Sequence, residues 1–92
     1  MEIGTAIKNL RKSKGMTQKE LATKCELSAN ALCTLERNGS FPTKDTIEKI
    51  CAALSIPVSY LLFFSITEDD VPEEKRVVFK AIEGLMKDAL LP

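Results

Sequence analysis

Histidine is absent from this 92-residue chain, and with it the side chain on which many acid–base pairs and most zinc sites depend. Cysteine is scarce and poorly spaced for metal. Cys25, Cys33 and Cys51 are odd in number and form no C-x-x-C pair, which argues against both a disulfide framework and a structural zinc site. Glycine-rich phosphate loops and paired nucleophile–base groups are also missing, so neither an enzyme nor a bound cofactor or metal is expected. No apolar run approaches the ~20 residues that a bilayer-spanning helix needs. No basic-then-apolar leader opens the chain, and a cytoplasmic protein is expected.

Net charge is absent too, which at first sight counts against a nucleic-acid partner. Its distribution says more. Residues 1–64 hold nine Lys/Arg and six Asp/Glu, a balance of +3, whereas residues 65–92 hold four and seven, a balance of −3. Local patches set the potential that DNA meets. A chain of this length makes one domain, or one small domain with an appendage, and an all-helical fold with local contacts suits its modest core.

The stretch Gln18 to Arg37, QKELATKCELSANALCTLER, places apolar residues at Leu21, Cys25, Leu27, Leu32 and Leu35, a pattern of two short amphipathic helices. Thr17 and Glu20 form a T-x-x-E capping box for the first, and Ser28 caps the second. Two helices joined by so short a turn outline a helix-turn-helix. In the second, Leu32 and Leu35 face inward, with Ala29 or Ala31 near the boundary. Asn30, Cys33, Thr34 and Arg37 are left outside. Short polar side chains on an outward face let a helix approach base edges, where Asn pairs with adenine and Thr meets a base edge or a thymine methyl. Ordinary exposed helix residues would give the same pattern, so the spacing alone leaves both readings open.

The surrounding residues supply more. IKNLRKSKGMTQKELA precedes, and LERNGSFPTKDTIEKICAALSIPVSYLL follows. The ordered set T-Q-x-E-L-A, S-x-x-x-L-x-x-L-E, a downstream Pro and x-I-x-x-I-x-x-x-L resembles the Cro/cI-type (XRE) helix-turn-helix of phage and bacterial repressors over residues 3–63. The resemblance implies an all-α fold, a five-helix lambda-repressor-like domain over residues 1–64. By positional match it implies base contacts from Ala29, Asn30, Cys33 and Thr34. It implies a phosphate contact from Gln18, which also braces the recognition helix, and an ion pair between Arg11 and Glu36. A solvated or phosphate-facing Arg11 is the alternative. Lys19, Arg37, Asn38 and Lys44 are further phosphate candidates, and Lys12 another. The pattern departs from the family at Glu26 and Asn38, where glycines are common. A left-handed backbone at Glu26 costs roughly 1 kcal/mol relative to Gly.

Around the motif, Ile3, Ala6, Ile7 and Leu10 give a first helix stopped by Gly15, with Lys8, Arg11, Lys12 and Lys14 largely on its other face. Phe41 is expected to fold its ring onto the core. Thr43 caps a fourth helix carrying Ile47, Ile50, Cys51 and Leu54, and Pro57 opens a fifth in which Val58, Tyr60, Leu61 and Leu62 close the domain, the Tyr60 hydroxyl staying at the surface. Cys25 and Cys51 read as small core hydrophobes; for Cys33, nearer the surface, a redox-sensing role stays open.

Residues 65–72 form an acidic linker, after which Pro72 or Glu73 begins a helix of about eighteen residues. Val71, Val78, Ile82, Leu85 and Ala89 keep a near-heptad rhythm that Phe79, Met86 and Leu90 widen. Such a stripe either folds back on the domain or meets a second copy. Dimerisation through Val78, Ile82, Leu85, Met86 and Ala89 is the expectation. Together these readings describe a regulator, of repressor type, that binds a palindromic duplex operator as a homodimer. The alternative is an antitoxin-type module whose acidic 65–92 segment binds a basic protein partner.

Overall fold

The computed structural model describes residues 1–90; Leu91 and Pro92, the end of the expected tail, lie outside the described residues. Six α-helices follow in order: α1 Ile3–Ser13, α2 Gln18–Lys24, α3 Ala29–Glu36, α4 Lys44–Leu54, α5 Val58–Ser65 and α6 Arg76–Leu90. Two single-turn 3-10 segments, Glu68–Asp70 and Glu73–Lys75, connect α5 to α6, and no strand occurs among the described residues.

The starts of α2, α3 and α4 follow from their caps. Thr17 accepts from the Glu20 backbone N–H at 3.1 Å while Glu20 Oε1 accepts from the Thr17 N–H at 3.1 Å. The bonds from the Thr17 backbone and then its side chain hold the Glu20 carboxyl below its ordinary range. The box is therefore complete at neutral pH and is lost as pH falls through that lowered value. Ser28 accepts from the Ala31 N–H at 3.0 Å, and Thr43 accepts from the Thr46 N–H at 3.2 Å. Turns between helices use left-handed backbone at Gly15 (φ 68°), Glu26 (φ 57°), Asn38 (φ 60°) and Ser55 (φ 56°). Only the first is glycine, so Glu26 carries the strain its position implied.

One core joins five helices. Ile3, Ala6, Ile7 and Leu10 of α1 meet Leu21, Ala22 and Cys25 around α2, Leu32 and Leu35 of α3, Ile50, Cys51 and Leu54 of α4, and Leu61 of α5. Each fully buried Leu or Ile contributes about 2 kcal/mol through apolar area removed from water. Burial pushes the Cys25 and Cys51 thiols up, so both remain neutral small hydrophobes near pH 7. Among the described residues no single helix is long and apolar enough to cross a membrane; α4 and α5 are bent 105° against each other.

Several details differ from the expectations. Phe41 does not reach the core: it is 64% exposed, and Pro42 is buried in its place. In α5 the inward positions are Leu61 and Ser65, with Phe64 packed at the core's edge. That i, i+4 pair turns Leu62 outward, and Leu62 and Val58 are each 38% exposed. Arg11, on the far side of α1 from the apolar stripe, is nonetheless buried, in the ion pair with Glu36 that the family resemblance implied rather than in the solvated alternative. The last helix begins at Arg76 rather than at residue 72 or 73, because the Lys75 N–H closes a tight turn on the Pro72 carbonyl at 2.9 Å. Arg76 Nε then donates back to the Glu68 carbonyl (3.0 Å) and the Val71 carbonyl (3.2 Å), and Lys80 pairs with Glu68 at 2.8 Å. These contacts set the direction in which α6 leaves the linker.

Candidate nucleic-acid interface

Three inward side chains fix the attitude of α3. Leu32 and Leu35 enter the core, and Glu36 is buried beside them. Its carboxylate is fully engaged. Arg11 Nε donates to Oε2 at 2.8 Å and Nη2 to Oε1 at 3.0 Å, a two-bond fork of the kind that matches a guanidinium to a carboxylate. Gln18 Nε2 donates to Oε1 at 3.2 Å, and Arg11 Nη1 donates to the Met16 carbonyl at 2.9 Å. One buried acid thus ties α1 and the start of α2 to the end of α3. No buried side-chain nitrogen or oxygen lacks a partner among the described residues.

A second tie holds the same end of α3 from the other side. The N-cap residue of α1, Glu2, does not cap the helix with its own side chain. Asn38 does so from 34 residues away: its Oδ1 accepts from the Gly4 N–H at 2.8 Å and from the Thr5 N–H at 3.3 Å, while Nδ2 donates to Thr5 Oγ1 at 2.9 Å. The approach is so close that a Cβ added to Gly4 would run into the Leu35 carbonyl oxygen and lie 2.9 Å from the Asn38 nitrogen. Asn38, expected among the phosphate contacts, has its carboxamide taken up by α1. Neither Gly4 nor this use of Asn38 is among the expectations from sequence. The available signal was the missing cap: M-E-I-G-T offers no Ser, Thr, Asp or Asn just before the helix, so its first N–H groups needed an acceptor from elsewhere.

What α3 turns outward is short. Ala29, Asn30 and Ala31 are exposed, and Cys33 and Thr34 are half-buried. Thr34 Oγ1 donates to the Asn30 carbonyl at 3.0 Å, so its hydroxyl has acceptor capacity left for a ligand. Exposed cations occur on α2, α3 and α4: Lys19 in the first turn of α2, Arg37 at the C-cap of α3 and Lys44 at the start of α4. Gln18 is half-buried and retains one amide hydrogen beyond the bond to Glu36. Lys12 is exposed on α1.

The residues expected to mediate dimerisation lie on α6, which has no buried residue. Val78, Ile82 and Leu85 are 59%, 46% and 70% exposed, Ala89 is exposed and Met86 is half-buried. Spaced four, three and four residues apart, Val78, Ile82, Leu85 and Ala89 form a continuous apolar seam along α6. Phe79, Met86 and Leu90, on the adjoining face, are half-buried.

A helix-turn-helix family model matches residues 7–61 of the chain. An immunity repressor protein of Bacillus phage phi105 is 33% identical over 93 residues, an alignment that covers 96% of this chain and 65% of the repressor. The HTH-type transcriptional regulator SinR of Bacillus licheniformis is 35% identical over 89 residues, covering 96% of this chain and 77% of that protein. The crystal structure of the clp gene regulator ClgR from Corynebacterium glutamicum superposes with a TM-score of 0.68 at 24% identity, over 97% of this chain and 90% of that one; the likeness is one of fold.

Proposed function

This chain belongs to the XRE-type helix-turn-helix family of DNA-binding transcriptional regulators, and we propose that it works as a homodimeric repressor with α3 seated in the major groove. The observation that carries this reading is the division of α3. Its leucines and Glu36 are locked inward, while Ala29, Asn30 and Ala31 stand in solvent with no long side chain to hold the helix off the bases. Asn30, Cys33, Thr34 and Ala29 then face base edges. Gln18, Lys19, Arg37 and Lys44 meet phosphates, which set register and give a salt-dependent affinity. Residues 1–64 serve as the DNA-binding unit and the remainder as the dimerisation element.

The apolar seam of α6 supports the dimer. Val78, Ile82, Leu85 and Ala89 supply the spacing that an identical helix interlocks with, and Ile82 and Leu85 fall at the a and d positions that favour two strands. The alternative, a basic partner wrapped by the acidic 65–92 segment, would have to compete with the Lys80–Glu68 and Met1–Asp70 pairs.

Selection from a random duplex pool at fixed salt tests the reading. The expected product is a palindrome with half-sites about 34 Å apart, one turn of the duplex. Ile82→Asp places a charge in the seam, so it is expected to sediment as a monomer and to select single half-sites. Enrichment of no sequence contradicts DNA recognition. A palindrome still selected by a fully dimeric Ile82→Asp contradicts the role given to α6.

A further inference from the structure

A chain of 92 residues with four phenylalanines has few aromatic rings to place, yet it leaves Phe41 64% exposed in the loop joining α3 to α4. The loop's departure from α3 is fixed beside Thr34. The Gly39 N–H donates to the Thr34 carbonyl at 2.9 Å, and a Cβ added to Gly39 would stand 3.0 Å from Thr34 Cγ2. The chain therefore leaves α3 over Thr34, one of the residues of its outward face. Phe41 follows two residues later, and buried Pro42 anchors the loop behind it.

Two exposed cations lie close to it in the sequence. Arg37 and Lys44 flank the ring in the chain, both are exposed, and neither forms an ion pair among the described residues. Asp45, the acid next to Lys44, is 3.5 Å from Lys49 along α4. An apolar ring between two free cations matches a surface that alternates phosphate with the carbon face of a sugar. It matches a second copy of this loop poorly, since a symmetric contact would bring like charges together.

We propose that Phe41 packs against a deoxyribose of the DNA backbone between the phosphates met by Arg37 and Lys44, as a positioning residue that adds affinity without reading sequence. The proposal rests on the DNA-binding reading above and adds a contact to it. An uncharged contact to sugar displaces no counterion, so its loss weakens binding equally at every salt concentration and on every sequence.

The test measures binding of wild type, Phe41→Ala and Phe41→Tyr to a duplex selected by wild type and to a scrambled one, across a salt series, with thermal melting and sedimentation of each free protein. Phe41→Ala is expected to lose up to about 10-fold affinity on both duplexes, the lower part of the range found when an aromatic ring that stacks on a base is removed. Its salt slope, melting temperature and oligomeric state should match wild type, and Phe41→Tyr should retain the affinity. Wild-type binding with no loss in Phe41→Ala overturns this inference alone. So does a lower melting point, which would make the ring a fold contact, or a shift to monomer, which would make it a contact between copies. A wild type that binds neither duplex overturns the DNA reading, and this inference with it.

Discussion

Gly4→Ala is expected to lower the stability of the fold by about 3 kcal/mol, from overpacking and two weakened hydrogen bonds together. Most single substitutions at a helix N-terminus do far less. Here the added methyl meets the Leu35 carbonyl and the Asn38 backbone nitrogen, neither of which can rotate away as a side chain would. Relief requires α1 to separate from the end of α3, and that stretches the bonds from the Gly4 and Thr5 N–H groups to Asn38 Oδ1. In a domain of this size the loss corresponds to a fall in melting temperature of roughly 12–24 °C. Gly84→Ala is the control: nothing lies within 4 Å of a Cβ there, and alanine in the middle of α6 is helix-favouring. Thermal unfolding followed by circular dichroism should show a large drop for Gly4→Ala and none for Gly84→Ala. Equal melting points for wild type and Gly4→Ala would contradict the close approach of α1 to α3.

The second large effect is expected at Arg11. A buried ion pair adds little net stability, because desolvating both charges offsets most of their attraction, but removing one member strands the other. Arg11→Ala leaves the Glu36 carboxylate in the interior with only the Gln18 amide as donor. The expected loss is about 3–5 kcal/mol, enough to unfold a large share of molecules in a domain of ordinary marginal stability. Arg11→Met combined with Glu36→Leu removes both charges and should recover much of that loss. The recovery stays incomplete, since the Met16 carbonyl loses the bond from Arg11 Nη1. Chemical denaturation of the three proteins checks the order. A double variant less stable than Arg11→Ala would show that the pair is net stabilising, against this account. The same substitutions bear on function, because Glu36 joins the end of α3 to Arg11 of α1 and Gln18 of α2.

How much of this could be read from the chain depended on range. Thr17, Ser28 and Thr43 announce their helices because a cap acts within three residues, and the inward residues of α1, α3 and α4 announce themselves through spacing. The Arg11–Glu36 contact spans 25 residues, and no local pattern names it; only the family resemblance did. Asn38 stands where the family commonly has glycine, and it takes the left-handed φ of 60° that such a position needs, but its side chain works 34 residues back on α1. Phe41 departs from the expectation because hydrophobicity says that a ring prefers the interior without saying whether the loop can deliver it there. Pro42, one residue on, is the side chain the loop turns inward. The direction of α6 likewise hangs on Arg76 and Lys80 meeting the linker, contacts that periodicity does not encode.

The outward face of α3 carries the account, and a comparison of two alanine variants on a panel of single-base operator changes tests it most directly. Asn30→Ala should flatten preference at one or two base pairs while keeping the salt slope. Lys44→Ala should weaken every duplex alike and reduce that slope by about one. If the two variants lose affinity by the same factor on every duplex in the panel, Asn30 reads nothing and the role assigned to α3 is wrong.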